Sequence, residues 1–171
     1  YKDKVGESIA NNKLTLHSHP LSDKLDANYF VTGDGYVCEN STIIDKGILK
    51  TLLLGIYGSN KTGGKRAVNG GGAHIVEPGD KSLKDMISSI NKGILLSRFS
   101  GGNPSDNGDF SGVAKNSYYI ENGKIKYPIS ETMVSGNICK MLHDIKNISK
   151  ETINFGSSIY PWIQCSDITV S

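Results

Sequence analysis

Nowhere in these 171 residues do apolar side chains run on for the roughly 18 positions that a membrane-spanning helix needs. The opening residues do not read as a secretory leader either. Charge of one sign is equally scarce. Nineteen Lys and Arg against 17 Asp and Glu leave a formal +2, and the basic residues are scattered along the chain, which gives no footing for a nucleic-acid partner. Cysteine is thin. Cys38, Cys139 and Cys165 are odd in number, widely spaced and without a C-x-x-C pair, a pattern that suits reduced thiols better than a disulfide framework.

The short catalytic signatures are missing as well. There is no H-E-x-x-H and no G-x-S-x-G, so neither an autonomous zinc protease nor a nucleophile-elbow hydrolase is expected. The run GSNKTGGKR departs from the phosphate-binding order G-x-x-x-x-G-K-[ST], because Lys65 is followed by Arg66, and it reads as a flexible polar turn.

What is present suits one domain with a sizeable core. Apolar residues make up 37%, and 20 glycines point away from a helical bundle toward turns and strands. The stretch KVGESIANN reads as the tail of a helix, and with Tyr1 as the first residue a fragment of a longer protein is expected. LTLHSHP reads as a short strand stopped by Pro20, STIIDKGILKTLLLGIYG as a hairpin turning at Asp45-Lys46-Gly47, and HIVEPGD as a strand running into a turn. Ser59 to Gly72 reads as a mobile, glycine-rich loop.

Two helices are predicted. Leu83, Met86, Ile87, Ile90 and Ile94 share helical spacing after a cap at Asp80 or Ser82, with Gly93 as the stop. Ile138, Met141, Leu142, Ile145 and Ile148 do the same after Ser135 or Asn137. Between them, YYIENGKIKYP is a two-residue Asn-Gly hairpin, with Tyr118 and Ile120 on one face and Ile125 and Tyr127 on one face of the return strand. The end, FGSSIYPWIQCSDITVS, reads as strand, turn, strand. Seven to nine strands, two main amphipathic helices and hairpin connections predict an α+β fold with a mostly antiparallel sheet, in which barrel-like closure is one expected form.

Chemistry has few places to reside. His17 and His19 would point to one face of a strand, but without a third ligand at recognisable spacing they make a poor metal pair. His74 opens a strand and His143 sits beside Asp144 on the polar face of a helix, and with no nucleophile elbow in the chain, pairing either with a Cys or Ser into a triad is not expected. There remains the stretch Ser100 to Ser111, SGGNPSDNGDFS, crowded with donors and acceptors and followed by the Asn-Gly hairpin. Asp106 and Asp109 can serve simply to hold a tight Asx-type turn. Alternatively, Asn103, Asp106, Asp109 and Ser111 stand over a cleft, where a rigid hairpin presents them to an extended peptide.

The segments EPGD from Glu77, NPSDNGDFSGVA from Asn103, YIENGKIKYP from Tyr119, ETMVSGN from Glu131 and FGSSIYPWI from Phe155 stand in one order along the chain. In that order they resemble the C-terminal domain of the TldD/PmbA family, and the resemblance covers essentially all of residues 1–171. It implies a fragment lacking its N-terminal domain, from a cytoplasmic metallopeptidase built of paired subunits, a family once named as modulators of DNA gyrase. In the catalytic type, zinc is held by a helical HExxxH motif in the N-terminal half and by a Cys just ahead of a Gly near the C-terminus. Here Phe155 precedes Gly156, so the resemblance is to the metal-free, PmbA-like subunit.

That resemblance implies no catalytic residue, metal ligand or cofactor in this fragment, with zinc in the partner. The implied partners are a TldD-like metal-bearing subunit and an unfolded peptide substrate, with no nucleic acid and no membrane. Self-association of the fragment is left open. A non-proteolytic module modulating DNA gyrase or a toxin–antitoxin system is the alternative, and an independent hydrolase a third.

Overall fold

A computed structural model describes all of residues 1–171. In chain order the elements are β1 (Leu16–Ser18), β2 (Ser41–Asp45), β3 (Ile48–Leu49), α1 (Ile56–Thr62), β4 (His74–Val76), α2 (Leu83–Ser88) and β5 (Lys92–Leu95). There follow β6 (Arg98–Gly101), β7 (Asp109–Lys115), β8 (Ser117–Glu121), β9 (Lys124–Ile129) and β10 (Thr132–Asn137). The chain ends with α3 (Ile138–His143), β11 (Ile145–Asn154), β12 (Ser158–Cys165) and β13 (Thr169–Val170). The class is α+β. The strands form three open sheets of six, four and three strands, in the orders β11-β12-β4-β1-β2-β3, β13-β10-β7-β6 and β5-β8-β9. Most pairings are antiparallel, with β12 parallel to β4. No sheet closes on itself, so the barrel-like expectation is corrected.

The chain divides into two compact units. The first comprises Tyr1–Gly79 and Glu151–Trp162, the second Asp80–Lys150 and Ile163–Ser171. The first buries Ile9, Leu14, Leu25, Ile44, Leu49 and Val76. Its most connected polar residue is Asn69, 3% exposed, whose Nδ2 donates to the carbonyls of Ser18 and Glu39 and to Ser41 Oγ. Its Oδ1 accepts from Ser18 Oγ and from the Gly71 N–H. A buried amide is tolerated only when its donors and acceptor are met in this way.

The β2–β3 hairpin turns where predicted, at Lys46 and Gly47 with φ of 47° and 81°, but β3 is only two residues long. The N-terminal residues are not a helix tail. The Gly6 N–H donates to Leu49 O and the Leu49 N–H to Glu7 O, so this backbone is spent on the edge of β3. The expected strand continuation and the start of the expected loop are instead α1, where the Ile56 N–H donates to Asp34 Oδ2 at 2.9 Å.

In the second unit Met86, Ala114, Ile120, Val134, Ile145 and Ile148 are buried. Ser82 caps α2 as predicted by accepting from the Asp85 N–H, and its hydroxyl donates to the Asp85 carboxylate, the short side chain meeting the cap hydroxyl where a capping-box Glu reaches the cap backbone N–H. Both predicted helices are shorter than expected. Ser88 and Ser89 hydroxyls turn back onto Lys84 O and Met86 O, competing with continued helix, and Ile94 lies instead in β5 opposite Tyr119. Gly93 is therefore a strand residue, not a stop. Asn137 caps α3 through the Lys140 N–H, but Ile145 and Ile148 belong to β11.

The Asn-Gly hairpin is present, with Asn122 at φ 51° and Gly123 at φ 71°, the two positive values a type I′ turn requires. Its alternation is imperfect. The register slips between Tyr119 and Ile120, so Ile125 pairs with Ile120 and Tyr127 with Tyr119, residues of opposite faces, and the expected shared face of Ile125 and Tyr127 is lost; Ile120 is 1% exposed, Ile125 and Tyr127 46% and 56%.

Candidate functional site

The loop singled out in the sequence is carried by the β6–β7 hairpin, not by the Asn-Gly hairpin, which lies in the three-stranded sheet. Ser100 and Ser111 fall within strands, so the loop proper is residues 102–108. Its local order comes from Asp109. The carboxylate accepts from Asn107 Nδ2 and Asn137 Nδ2, both at 2.8 Å, and the Asp109 N–H donates to Ser105 Oγ at 3.1 Å. The Ser105 N–H donates in return to Asp109 O at 2.9 Å. Asn137 reaches across to the Asn107 carbonyl as well, at 2.9 Å, and the Ile138 N–H donates to Gly108 O. Both carboxylate oxygens of Asp109 thus meet side-chain amides, and the Asx-type contact of this turn belongs to Asn107, whose Oδ1 accepts from the Asp109 N–H at 3.4 Å.

The other three residues are placed differently. Ser111 follows Asp109 by two positions on β7 and shares its strand face, exposed. Asn103 and Asp106 are exposed in the loop. The structure therefore brings Asp109 and Ser111 to one strand face and leaves Asn103 and Asp106 on the connecting loop. None of the four lines either of the two recesses in the first unit, of about 670 and about 170 Å³.

The larger recess is an open groove lined by His17, His19, Lys24, Asn40, Ile75 and Glu77 among others. The two imidazoles do share a face, stacked at 4.5 Å between centroids and 27° apart. Both nitrogens of His17 are already engaged, Nδ1 with Thr42 Oγ1 at 3.0 Å and Nε2 with Glu77 Oε1 at 3.1 Å. Burial, then the neighbouring His17 and Lys24, hold His19 below the ordinary imidazole pKa, which favours its neutral form. No three His, Cys, Asp or Glu side chains anywhere converge into a set able to hold a metal ion.

The remaining candidates are structural. The glycine-rich loop after Thr62 follows a helix and does not precede one, so it meets the negative end of the helix dipole and offers nothing to a phosphate. Arg66 there lies 3.8 Å over the Tyr36 ring and donates to Ala67 O. His74 Nδ1 is 3.4 Å from the Tyr160 hydroxyl. All three cysteines are free. Burial, with Asp144 adding, pushes the Cys165 thiol up to about 11, and burial also raises that of Cys38, so both are unreactive thiols near neutrality. Phe155, the residue ahead of Gly156, is 62% exposed with its ring 6.2 Å from that of Tyr160. No helix is long and apolar enough to cross a membrane.

Comparison with known proteins adds what the geometry alone does not. A family model described as the PmbA/TldA metallopeptidase C-terminal domain matches residues 1–171. Among curated relatives, a metalloprotease PmbA homolog from Buchnera aphidicola is 31% identical over 96% of this chain and 38% of its own length. Metalloprotease PmbA of Escherichia coli O157:H7 is 31% identical over 93% of this chain and 37% of its own length. A zinc metalloprotease TldD homolog from Saccharolobus solfataricus is 30% identical over 91% and 36%. Among solved structures, a candidate modulator of DNA gyrase from Bacteroides thetaiotaomicron superposes with TM-score 0.87 at 31% identity, covering 99% of this chain and 39% of that one. The chain spans under two-fifths of the length of these relatives.

Proposed function

The chain belongs to the PmbA/TldD metallopeptidase family, as its C-terminal domain, and from that premise we propose that it serves a PmbA-like, noncatalytic subunit. That subunit acts with a TldD-like, metal-bearing partner to degrade or process unfolded peptides. The observation that carries the noncatalytic reading is Phe155. An exposed phenyl ring stands ahead of Gly156, where a catalytic subunit resembling this chain would have a thiolate, and a phenyl ring has no lone pair to give a metal. The engagement of both His17 nitrogens is in keeping with that reading. Zinc chemistry, the activation of water for attack on the peptide carbonyl, is then the partner's contribution.

The role left to this domain is to hold backbone. Open sheet edges recognise main chain through N–H and C=O groups and so accept many sequences. Asn103, Asp106, Asp109 and Ser111, at the tip and base of the β6–β7 hairpin, are the proposed peptide-facing residues.

The test is to combine the protein with a TldD-type subunit and a disordered peptide. Cleavage that needs both proteins and is abolished by a chelator is the expected result. Cleavage by this protein alone would overturn the noncatalytic assignment. Peptide binding without cleavage in any combination would favour a non-proteolytic module, in keeping with the gyrase-modulator designation of a solved relative.

A further inference from the structure

The open sheets leave several edge strands, and most are guarded. The outer edge of β3 is taken by Gly6 and Glu7. On β9, Pro128 interrupts the donors and Lys124 and Lys126 are exposed, devices that discourage pairing. Lys81 O accepts from the Lys150 N–H on β11, and β13 is two residues long. Strand β6 is different. All four residues are exposed, none is Pro or Lys, and its backbone has no hydrogen-bond partner beyond β7.

Its two faces carry distinct chemistry. On one, Arg98 stands directly opposite Lys115. Like charges so placed repel, and no carboxylate forms an ion pair with either. On the other face the Phe99 ring lies across the paired Gly101 and Gly112. A Cβ at either glycine would come within 2.6 or 2.5 Å of ring atoms, closer than packing allows. Phe110 meets Phe99 edge-on at 5.7 Å, and Phe99 stays 37% exposed. The edge is thus flanked by an unneutralised cationic pair on one side and a fixed apolar ring on the other.

We propose that the outer edge of β6 is the docking strand for an extended peptide in which an acidic residue stands next to an apolar one. Alternation along a strand laid beside β6 sends the acidic side chain to the Arg98 and Lys115 face and its neighbour to the Phe99 face. The proposal rests on the peptide-binding reading above and specifies its site and its preference.

The probe is a fluorescein-labelled nine-residue peptide of Ser and Thr carrying one Glu beside one Val, read by fluorescence anisotropy with the intact protein. Replacing Glu by Lys in the probe is expected to weaken binding about tenfold, as attraction becomes repulsion. N-methylation of alternate peptide nitrogens should abolish binding in one phase and spare it in the other, since only every second N–H faces the edge. Arg98→Gln should weaken the Glu-over-Lys preference, since Lys115 keeps its charge, and Arg98→Glu, which sets a carboxylate opposite Lys115, should erase it; circular dichroism confirms that both variants fold. Binding that ignores both the charge swap and the methylation phase overturns the β6 assignment and leaves the peptide-binding reading standing. No binding of any probe, alone or with a metal-bearing partner, overturns both.

Discussion

Asn137 donates its Nδ2 to Asp109 Oδ1 at 2.8 Å across the last pairing of β10 with β7, where the two residues are already register partners. The same Asn137 caps α3 through its Oδ1. One side chain therefore ties the β6–β7 hairpin to the helix that follows β10, and Asp109, at the base of the loop, is one of the residues that hold its shape.

Asp109→Ala removes both amide contacts and is expected to cost about 1 kcal/mol in urea unfolding, the usual net worth of such bonds. Asp106→Ala, with no such contacts, should stay within about 0.5 kcal/mol of the parent. In the protein paired with a metal-bearing partner, Asp109→Ala should lower peptide cleavage as the loop loosens. Unchanged turnover at equal complex concentration removes Asp109 from the proposed peptide-facing set.

The hairpin of β8 and β9 makes a sharper demand. Gly123 sits at φ 71°, and a Cβ there would stand 2.7 Å from the backbone oxygen of Ser88. Gly123→Ala therefore meets both backbone strain and a clash with an immobile atom at the end of α2. A loss of roughly 2 kcal/mol or more is expected in thermal or urea unfolding. Loss near zero would mean that the turn relaxes away from Ser88.

What the sequence disclosed and what it concealed divide along locality. The caps Ser82 and Asn137 and the turns at Lys46-Gly47 and Asn122-Gly123 are readable because cause and effect lie within a few residues. Helix α1 carries no local start signal, since its N-cap is Gly55 and the carboxylate that meets the Ile56 N–H, Asp34, is 22 residues away. Both helices read longer in the sequence than they are, because Ile94, Ile145 and Ile148 fit a helical spacing, while β-branched side chains equally suit the strands they occupy. In the candidate site a polar turn is legible from Ser105 to Asp109, but the Asx-type contact falls to Asn107, and the Asp109 carboxylate takes its partner Asn137 from another strand 28 residues on. The opposition of Arg98 and Lys115 was invisible, since it exists only once β6 and β7 are in register.

His19 provides a pH test. Its folded pKa is lowered by burial first, then by His17 and Lys24, so the unfolded chain binds a proton more readily than the folded one. The associated stability is complete above the unfolded value near 6.5 and is lost as pH falls through the lower folded value. Melting temperature should drop between pH 7.5 and pH 5, and His19→Asn should flatten that dependence. Identical pH profiles for the two proteins would show that other groups carry it.

Asn69 carries the largest expected single cost. Replacing it by Ala strands the Ser18 and Glu39 carbonyls, the Ser41 hydroxyl and the Gly71 N–H in an environment where Asn69 is 3% exposed and Ser18 is 0% exposed. Each unsatisfied buried group costs about 1–3 kcal/mol, and relaxation recovers part of the sum. A loss of roughly 3 kcal/mol is expected in urea unfolding. Asn69→Asp should be comparably harmful, because a carboxylate has no N–H to give to the Ser18 and Glu39 carbonyls and repels both, leaving only the Ser41 hydroxyl able to turn and donate. Conversely, Asn69→Asp at parental stability would mean that this amide is not the node on which the first unit's polar interior depends.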